Sequence, residues 1–148
     1  MTIDSDVGAV YAAYRTALTD GAALWGTKAY ADDVPRNTSG GVAVTRPYVI
    51  YSFAGGGDAS DINQPDPDLL VDVIGVADNV ADALLMAQQI RERLDDHGEL
   101  DATMLAGSST YMLKTITHEM RIHFIERALG TLPIFHSGGR YRNILEKR

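Results

Sequence analysis

From Ile116 to Phe124, apolar and polar residues alternate along the chain, and this period of two predicts a half-buried β-strand. One side of the strand would carry Ile116, His118, Met120, Ile122 and Phe124, and the other side Thr115, Thr117, Glu119, Arg121 and His123. A helical stripe through Leu113, Ile116, Met120 and Phe124 also fits, but the Thr, Ile, His and Phe content favours a strand. We therefore expect Met120 and Ile122 to face the core, and Glu119, Arg121 and His123 to face outward.

The same stretch contains "HEMRIH", which has one residue more than the H-E-x-x-H motif of zinc proteases. In a helix, this spacing would separate the two histidines by about 140° around the axis. In a strand, the odd separation would put them on opposite faces. Neither geometry lets His118 and His123 bind one ion, so the sequence predicts no zinc site. We expect His118 to be partly buried and hydrogen-bonded, and His123 to be exposed or at an interface.

Two other segments show the three- and four-residue spacing of amphipathic helices. In residues 4–25 the apolar stripe consists of Val7, Val10, Tyr11, Tyr14, Ala17 and Leu18. In residues 78–98 it consists of Ala83, Leu84, Ala87, Ile90 and Leu94, with Asp78 or Asn79 as the cap and Gly98 as the end. We expect Tyr11 and Tyr14 to pack in the core with their hydroxyls at its edge.

The remaining patterns predict strands. Lys28–Asp33 is a short one, "PYVIYSFA" (47–54) opens at a proline, and "DLLVDVIGVA" (68–77) is apolar on both faces except at Asp72. Residues 131–146 return as the partner of the strand through Ile116, with "SGG" expected to form a bulge. The order predicts an α+β fold: a mostly antiparallel β-sheet, two main α-helices packed on it, and a C-terminal long β-hairpin, in a single domain spanning 1–148.

Composition narrows the class of protein. The chain has no cysteine, which excludes disulfides, thiolate metal sites and cysteine nucleophiles. Its N-terminus lacks a signal pattern, and no apolar run approaches the ~20 residues of a membrane span, so we expect a soluble protein of the reducing cytoplasm without a membrane partner. The net charge is −7, but residues 121–148 hold 6 Lys/Arg and only 2 Asp/Glu. This basic end is either a nucleic-acid tail or, as we prefer, a face that meets an acidic neighbour.

The motifs of common enzymes are missing. The chain has no G-x-S-x-G elbow and no phosphate-binding Gly-rich loop, and Asp58, Asp61, Asp66 and Asp68 in the acidic loop 56–68 do not have calcium-loop spacing. The adjacent carboxylates Asp32-Asp33 and Asp95-Asp96 point apart and are expected to be solvated. We therefore expect no catalytic residues, no cofactor and no metal.

The ordered set of segments resembles the tail-terminator or tail-completion proteins of long-tailed bacteriophages and related prophage elements. An N-terminal amphipathic helix, "YADDVPRN", "RPYVIYSFAGGG", "DLLVDVIGVA", the helix "NVADALLMAQQIRERLDDHG" and the closing "GTLPIFHSGGRYRNILE" carry this resemblance over nearly the whole chain. The long "DASDINQPDPD" loop departs from the pattern.

The resemblance implies a structural role and no enzymatic one. Such proteins are ring-forming subunits, usually sixfold, that cap the head-proximal end of the tail tube, stop its polymerisation and join it to the head connector. The implied partners are further copies of the chain, the tail-tube protein and a connector or head-completion protein. The implied location is the head–tail junction of the virion, assembled in the host cytoplasm, with DNA passing through the lumen without specific binding.

A ring subunit needs two complementary faces. The candidate interface residues are His123, His136, Arg140, Tyr141 and Arg142, because Tyr and Arg are enriched where interfaces gain most energy. Alternatively, Arg140 and Arg142 are exposed charges that protect an edge strand from stray pairing. Two other functions stay open at this point: another neck component, such as a head-completion or connector protein, and a small cytoplasmic enzyme with an unrecognised site.

Overall fold

The computed structural model describes residues 3–56, 68–95 and 111–147. Within these ranges the helices are α1 (Ile3–Leu18) and α2 (Val80–Leu94), and the strands are β1 (Ala29–Ala31), β2 (Tyr48–Gly56), β3 (Asp68–Ala77), β4 (Tyr111–Glu126) and β5 (Ile134–Lys147). The strands form a sheet in the order β1-β2-β3-β5-β4. Only β1 and β2 are parallel, so the predicted α+β fold is confirmed. Most of the acidic loop and the expected helix end at Gly98 lie outside the described residues.

Both helices pack on the same face of the sheet. The main core combines Val10, Tyr14 and Leu18 of α1 and Ala83, Met86, Ile90 and Leu94 of α2 with sheet residues such as Val49, Tyr51, Leu69, Val71, Val73, Ile116 and Tyr141. On the opposite face, the β1–β2 loop supplies Val34 and Val44 to a smaller cluster around Tyr48 and Val76. Among the described residues, no helix is long and apolar enough to cross a membrane.

A buried hydrogen bond joins α1 to β5. The Tyr14 hydroxyl donates to Asn143 Oδ1 at 2.5 Å, and Asn143 Nδ2 donates to the carbonyl of Leu69 at 3.0 Å. Both side chains are fully buried, and this burial raises the pKa of the Tyr14 hydroxyl. The expectation of hydroxyls at the edge of the core is right for Tyr11, whose hydroxyl donates to Asp32 at 2.7 Å, and wrong for Tyr14. A short polar partner on β5 makes the deeper position possible, because it satisfies the hydroxyl without water.

The buried stripe of α2 differs from the expected one by a small rotation. Asn79 caps the helix by accepting from the Asp82 N–H, as one of the two expected caps. However, Met86 is buried, while Leu84 is 50% exposed. Gly75 on β3 explains this difference, because a Cβ there would come within 2.9 Å of Met86 Cβ. The glycine therefore makes room for Met86 beneath the helix, and Leu84 turns toward β4.

A β-bulge in β4 overturns the expected division of its side chains. His118 pairs with Tyr141 and Met120 pairs with the adjacent Arg140, so Glu119 is an extra residue. One extra residue exchanges the two faces of a strand from that point onward. Ile116 and His118 face the helices as expected, but Met120, 49% exposed, faces the open side.

Beyond the bulge, the alternation of the sheet places Ile122 and Phe124 on the open side together with Met120. Arg121 and His123 pair with Gly139 and Ser137 and share the helix-covered side. The prediction that Met120 and Ile122 face the core is therefore wrong. Arg121 and His123 are exposed as expected, although they lie on the helix-covered side of the sheet.

The glycines of "SGG" do not form the bulge that the sequence suggested. β5 pairs with β3 in unbroken register from Phe135 to Ile144. A Cβ at Gly138 would lie 1.9 Å from the Val73 carbonyl oxygen, and one at Gly139 would lie 2.8 Å from the His118 ring. These two positions are glycine because neighbouring groups come too close for any side chain.

We expect the Tyr14–Asn143 hydrogen bond to contribute measurably to stability. Tyr14→Phe would leave the buried Asn143 Oδ1 without its donor, which should lower the free energy of unfolding by about 1–3 kcal/mol. Tyr30→Phe is the control, because the partly buried Tyr30 hydroxyl makes no hydrogen bond to the described residues and should change stability by less than about 0.5 kcal/mol. Urea unfolding of both variants tests this; equal losses would contradict it.

Candidate functional site

The candidate residues on β5 divide between the two faces of the sheet. His136, Arg140 and Arg142 lie on the open face, because the strand alternates and Tyr141 lies in the core beneath the helices. Tyr141 is only 1% exposed, and its ring meets the His118 ring edge-on at 5.3 Å between centroids. It offers no surface to a partner, so we leave Tyr141 out of the interface proposed below.

The two arginines of β5 are already engaged within the chain. Arg140 makes a two-point ion pair with Asp72 on β3, with Nε–Oδ1 at 2.7 Å and Nη2–Oδ2 at 3.1 Å. Arg142 Nε pairs with the Glu119 carboxylate at the bulge. Both pairs lie across strands on the open face, where they add polar but largely neutralised surface.

His136 is held between apolar and acidic neighbours. Its ring stacks on Phe124, with centroids 4.2 Å apart and planes at 10°. Its Nε2 lies 3.3 Å from Glu126 Oε1 but makes no hydrogen bond within the described part of the chain. Burial lowers the pKa of His136, while the Glu126 carboxylate opposes this shift. The imidazole is therefore neutral at pH 7 and extends the aromatic surface of Phe124.

The end of the β4–β5 hairpin exposes more apolar surface than a solvated turn requires. In the turn, Leu129 is 105% exposed and Leu132 is 87% exposed. Phe124 and Ile125 at the end of β4 are 47% and 38% exposed. The sequence signal for this surface is a pair of leucines on either side of Gly130, and it was not among the predicted contact residues. We call Phe124, Ile125, Leu129 and Leu132 the apolar hairpin end.

A cleft of about 350 Å³ lies on the other face, between α2 and the β4–β5 hairpin. On the α2 side it is lined by apolar side chains and by one arginine, and on the β4 side by a histidine and a second arginine. The lining residues are Leu84, Ala87, Gln88, Arg91, His118, Arg121, Ser137 and Gly138. The bulge at Glu119 and the outward turn of Leu84 create this arrangement, and neither was predicted from the sequence. We call it the α2–β4 cleft.

Two arginines line the α2–β4 cleft, and the carboxylates of Asp95 and of Glu92, which accepts from Gln88 at 3.1 Å, border it. Arg91 pairs with Asp95 at 3.2 Å, and Asp95 also accepts from the His118 N–H at 3.0 Å. Arg121 makes no ion pair or hydrogen bond with any residue of the described ranges. Burial lowers the pKa of His118, and the neighbouring Arg91 lowers it further, so the ring is neutral at pH 7. Ser137 Oγ is buried and has no hydrogen-bond partner in the described part of the structure.

The two histidines of "HEMRIH" cannot share a metal ion. The sequence predicted that they lie on opposite faces of the strand, whereas in the structure they lie on one face but too far apart. The bulge brings His118 and His123 to the same face, opposite Tyr141 and Ser137. These partners are four residues apart on β5, which corresponds to about 13 Å. Among the described residues, no group of three or more His, Asp or Glu side chains is placed to hold a metal. Ser137 also lacks the hydrogen bond to a base that would activate it as a nucleophile.

The partly buried histidines His118 and His136 predict a loss of stability in mild acid. The pKa values of His118 and His136 are lowered in the fold, so the unfolded chain binds more protons as the pH falls through about 6.5. The free energy of unfolding should therefore decrease between about pH 7 and pH 5. The variant carrying His118→Gln and His136→Gln should show a shallower decrease, whereas the exposed control His123→Gln should keep the original slope. Identical slopes in all three proteins, measured by urea unfolding, would contradict this.

Comparison with known proteins supports the fold. No protein-family model and no curated protein sequence matches the chain. Among solved structures, a chain from the virion of a native gene transfer agent (GTA) particle matches with a TM-score of 0.61 and 22% sequence identity. The match covers 95% of this chain and 96% of that chain. At this identity the comparison shows that the two proteins share a fold.

Proposed function

We propose that the protein is a structural subunit of a phage-like virion, and that it forms a ring at the head-proximal end of a tail. In this role it ends polymerisation of the tail tube and joins the tail to the head connector. The observation that carries the proposal is the fold shared with a chain of the GTA virion over 95% of this protein. The ordered segments that resemble tail terminators support the finer assignment.

The exposed apolar surface of the protein is more typical of a subunit in an assembly than of a monomer. Large exposed apolar patches on soluble proteins mark contact sites, and the apolar hairpin end places two nearly fully exposed leucines at its tip. A closed ring is a head-to-tail assembly in which each subunit presents two different, complementary surfaces. The apolar hairpin end and the α2–β4 cleft give the subunit two such chemically distinct regions.

We propose that four of the candidate residues belong to the subunit interface: His123, His136, Arg140 and Arg142. His136 supports Phe124 through ring stacking, so it shapes the apolar hairpin end. His123 is exposed near the end of β4. Arg140 and Arg142, because they are paired within the chain, would contribute polar rim contacts in place of free charge. We further propose that the net charge of −7 lets DNA pass through the ring without specific binding, since like charge repels phosphate.

The ring and its role can be tested together. Native mass spectrometry of the purified protein should show a sixfold species, and negative-stain images should show a ring. Added to polymerising tail-tube protein from the same genome, the ring should cap the tubes and shorten them. A twelvefold species that binds the connector and leaves tube length unchanged would favour another neck component. A protein that stays monomeric at high concentration and does not cap tubes would overturn the proposal.

We expect the leucines of the hairpin turn to be needed for the ring but not for the fold. The variant with Leu129→Asp and Leu132→Asp removes apolar contact area of the tip and should reduce the ring population strongly at equal protein concentration. Because both side chains are exposed in the subunit, its free energy of unfolding should change by less than about 0.5 kcal/mol per site. Val42→Asp, at a 43% exposed site in the β1–β2 loop, is the matched control and should leave the ring intact. Rings of normal abundance in the double leucine variant would contradict this.

A further inference from the structure

The backbone of His118 shows which groups of β4 face away from the rest of the sheet. β4 is an edge strand of the described sheet, with β5 on its inner side. The His118 N–H donates to the Asp95 carboxylate at 3.0 Å and therefore does not bond to β5. In an antiparallel pair, residues that bond to the partner strand alternate with residues that point away from it. His118 pairs with Tyr141, so the N–H and C=O of Tyr141 point to β3, on the other side of β5.

The same alternation continues beyond the bulge. β5 pairs with β3 in unbroken register, so every second residue of β5 counted from Tyr141 also points to β3. The β4 residues opposite these positions have N–H and C=O groups that point outward, away from the sheet. They are Arg121, His123 and Ile125. The residues between them bond to β5.

The opposite edge of the sheet leads to the same assignment independently. The Tyr51 carbonyl accepts from the Asp32 N–H at 2.8 Å, so the backbone of Tyr51 points to the β1 side. Its partner Val73 therefore points to β5, and Gly139, which pairs with Val73, points back to β3. Arg121 lies opposite Gly139 and must point outward. Two separate series of strand pairs thus identify the same outward-facing positions.

The outward groups of β4 are uncovered beyond the bulge. Asp95 caps the His118 N–H before the bulge, whereas the three outward-facing residues after it make no backbone hydrogen bond on their outer side within the described ranges. Residues 120–126 contain no proline and no lysine, and the charges of Arg121 and Glu126 cancel. Prolines and lysines are among the residues that protect edge strands from pairing with other chains, so this segment lacks that protection. We call residues 120–126 the free β4 edge.

The side chains of the free β4 edge define the kind of segment that it would bind. Ile122 and Phe124 point to the open side, and Phe124 is 47% exposed. Arg121 points to the helix-covered side, is exposed and has no ion pair within the described ranges. We propose that the free β4 edge binds an extended segment of a different protein as an added strand, in which apolar residues alternate with acidic ones. The apolar residues pack beside Ile122 and Phe124, and an acidic residue pairs with Arg121.

The far edge of the sheet does not offer such a strand to a neighbouring copy. In β1 the Ala29 N–H donates to the Thr27 carbonyl at 3.0 Å, and the Ala31 carbonyl accepts from the Asp33 N–H at 2.7 Å. These two residues are the ones of β1 that point away from β2, so local turns already use their outward groups. A three-residue strand closed in this way gives no template by which copies could join their sheets head to tail.

Pairing between the β4 edges of two copies is opposed by charge. Both segments would place Arg121 and His123 on the helix-covered side, and neither segment has a carboxylate on that side. Like charges that meet across strands are unfavourable, whereas an acidic segment would pair with Arg121. The inference goes beyond the proposed ring and does not depend on it, because the free β4 edge belongs to the single subunit.

Hydrogen exchange resolved to single amides of the full-length protein tests this contact. The probe is an acetylated and amidated peptide, as long as the free β4 edge, in which valine and glutamate alternate. Without the peptide, the three outward-facing amides should exchange quickly, because they have no hydrogen-bond partner. Saturating peptide should slow all three by about tenfold or more. The alternate amides that bond to β5 should exchange slowly in both states and are the internal control.

Proline substitutions at neighbouring positions give a matched pair of variants. His123→Pro removes an outward donor and keeps the bonds to β5, because proline is tolerated where an edge N–H faces solvent. It should stay folded and weaken binding of the peptide by about tenfold or more. Ile122→Pro removes a donor to β5 and should instead lower the melting temperature of the protein.

A charge exchange tests the acidic character of the partner even if the proline variants do not fold. Arg121→Glu should weaken binding of the valine–glutamate peptide by about fivefold or more and strengthen binding of a valine–lysine peptide of the same length. Arg36→Glu makes the same charge change in the β1–β2 loop and should leave the binding of both peptides unchanged.

Each outcome bears on the inference separately from the ring. Outward-facing amides that stay fast at the highest soluble concentration of the valine–glutamate peptide would overturn the added strand. Equal binding of the two peptides by the unmodified protein would overturn an acidic partner. Outward-facing amides that are slow without peptide and become fast on dilution would show that a second copy covers the edge, and the inference would be wrong. Native mass spectrometry of the same samples reports the ring, so loss of one proposal does not conceal the result for the other.

Discussion

The extra residue in β4 at Glu119 decides which side chains reach each face of the sheet. In a pleated strand the two faces alternate without exception, so a single added residue transfers every later side chain to the opposite face. Before it, Ile116 is buried under the helices; after it, Arg121 takes the corresponding face. The bulge also frees Glu119 to pair with Arg142 across the strands. One insertion thus moves an arginine to the cleft side and Met120 and Phe124 to the open side.

The cleft exists because two helices cannot cover five strands. A helix with its side chains is about 10 Å wide, and strands are about 4.8 Å apart, so each helix covers roughly two strands. The buried stripe of α2 packs on β3 and β5, and Gly75 on β3 makes room for Met86 beneath the helix. β4 lies at the edge of the sheet, beyond α2, and its first two helix-facing side chains after the bulge, Arg121 and His123, are polar. The edge of the layer therefore becomes a groove between α2, which contributes Leu84, Ala87 and Arg91, and β4, which contributes His118 and Arg121.

The sequence predicted the elements well because their patterns are local. The strand at 68–77 has the expected bounds, the apolar stripes located both helices, and Asn79 caps α2 as expected. What failed depends on contacts between distant segments. Met86 replaces Leu84 in the core because of Gly75 on another element, and Tyr141 is buried although Tyr and Arg neighbours suggested a surface. The bulge was expected at the glycines of β5 and occurs in the facing strand, since a glycine can equally mark a close approach of backbones.

The ion pairs of the structure show which basic residues of segment 121–148 carry uncompensated positive charge. The basic residues of 121–148 suggested that β5 itself presents free positive charge, yet Arg140 and Arg142 are both held by carboxylates of neighbouring strands. Arg121 and Arg127, in contrast, make no ion pair within the described residues. Both belong to the outer strand and turn of the hairpin, at the periphery of the subunit. Free charge there can reach an acidic neighbour without the desolvation that would oppose burying a charge in the middle of the sheet. The side of the molecule best suited to electrostatic pairing is therefore the β4 edge with its cleft, while the open face of β5 is suited to neutral, shape-based contact.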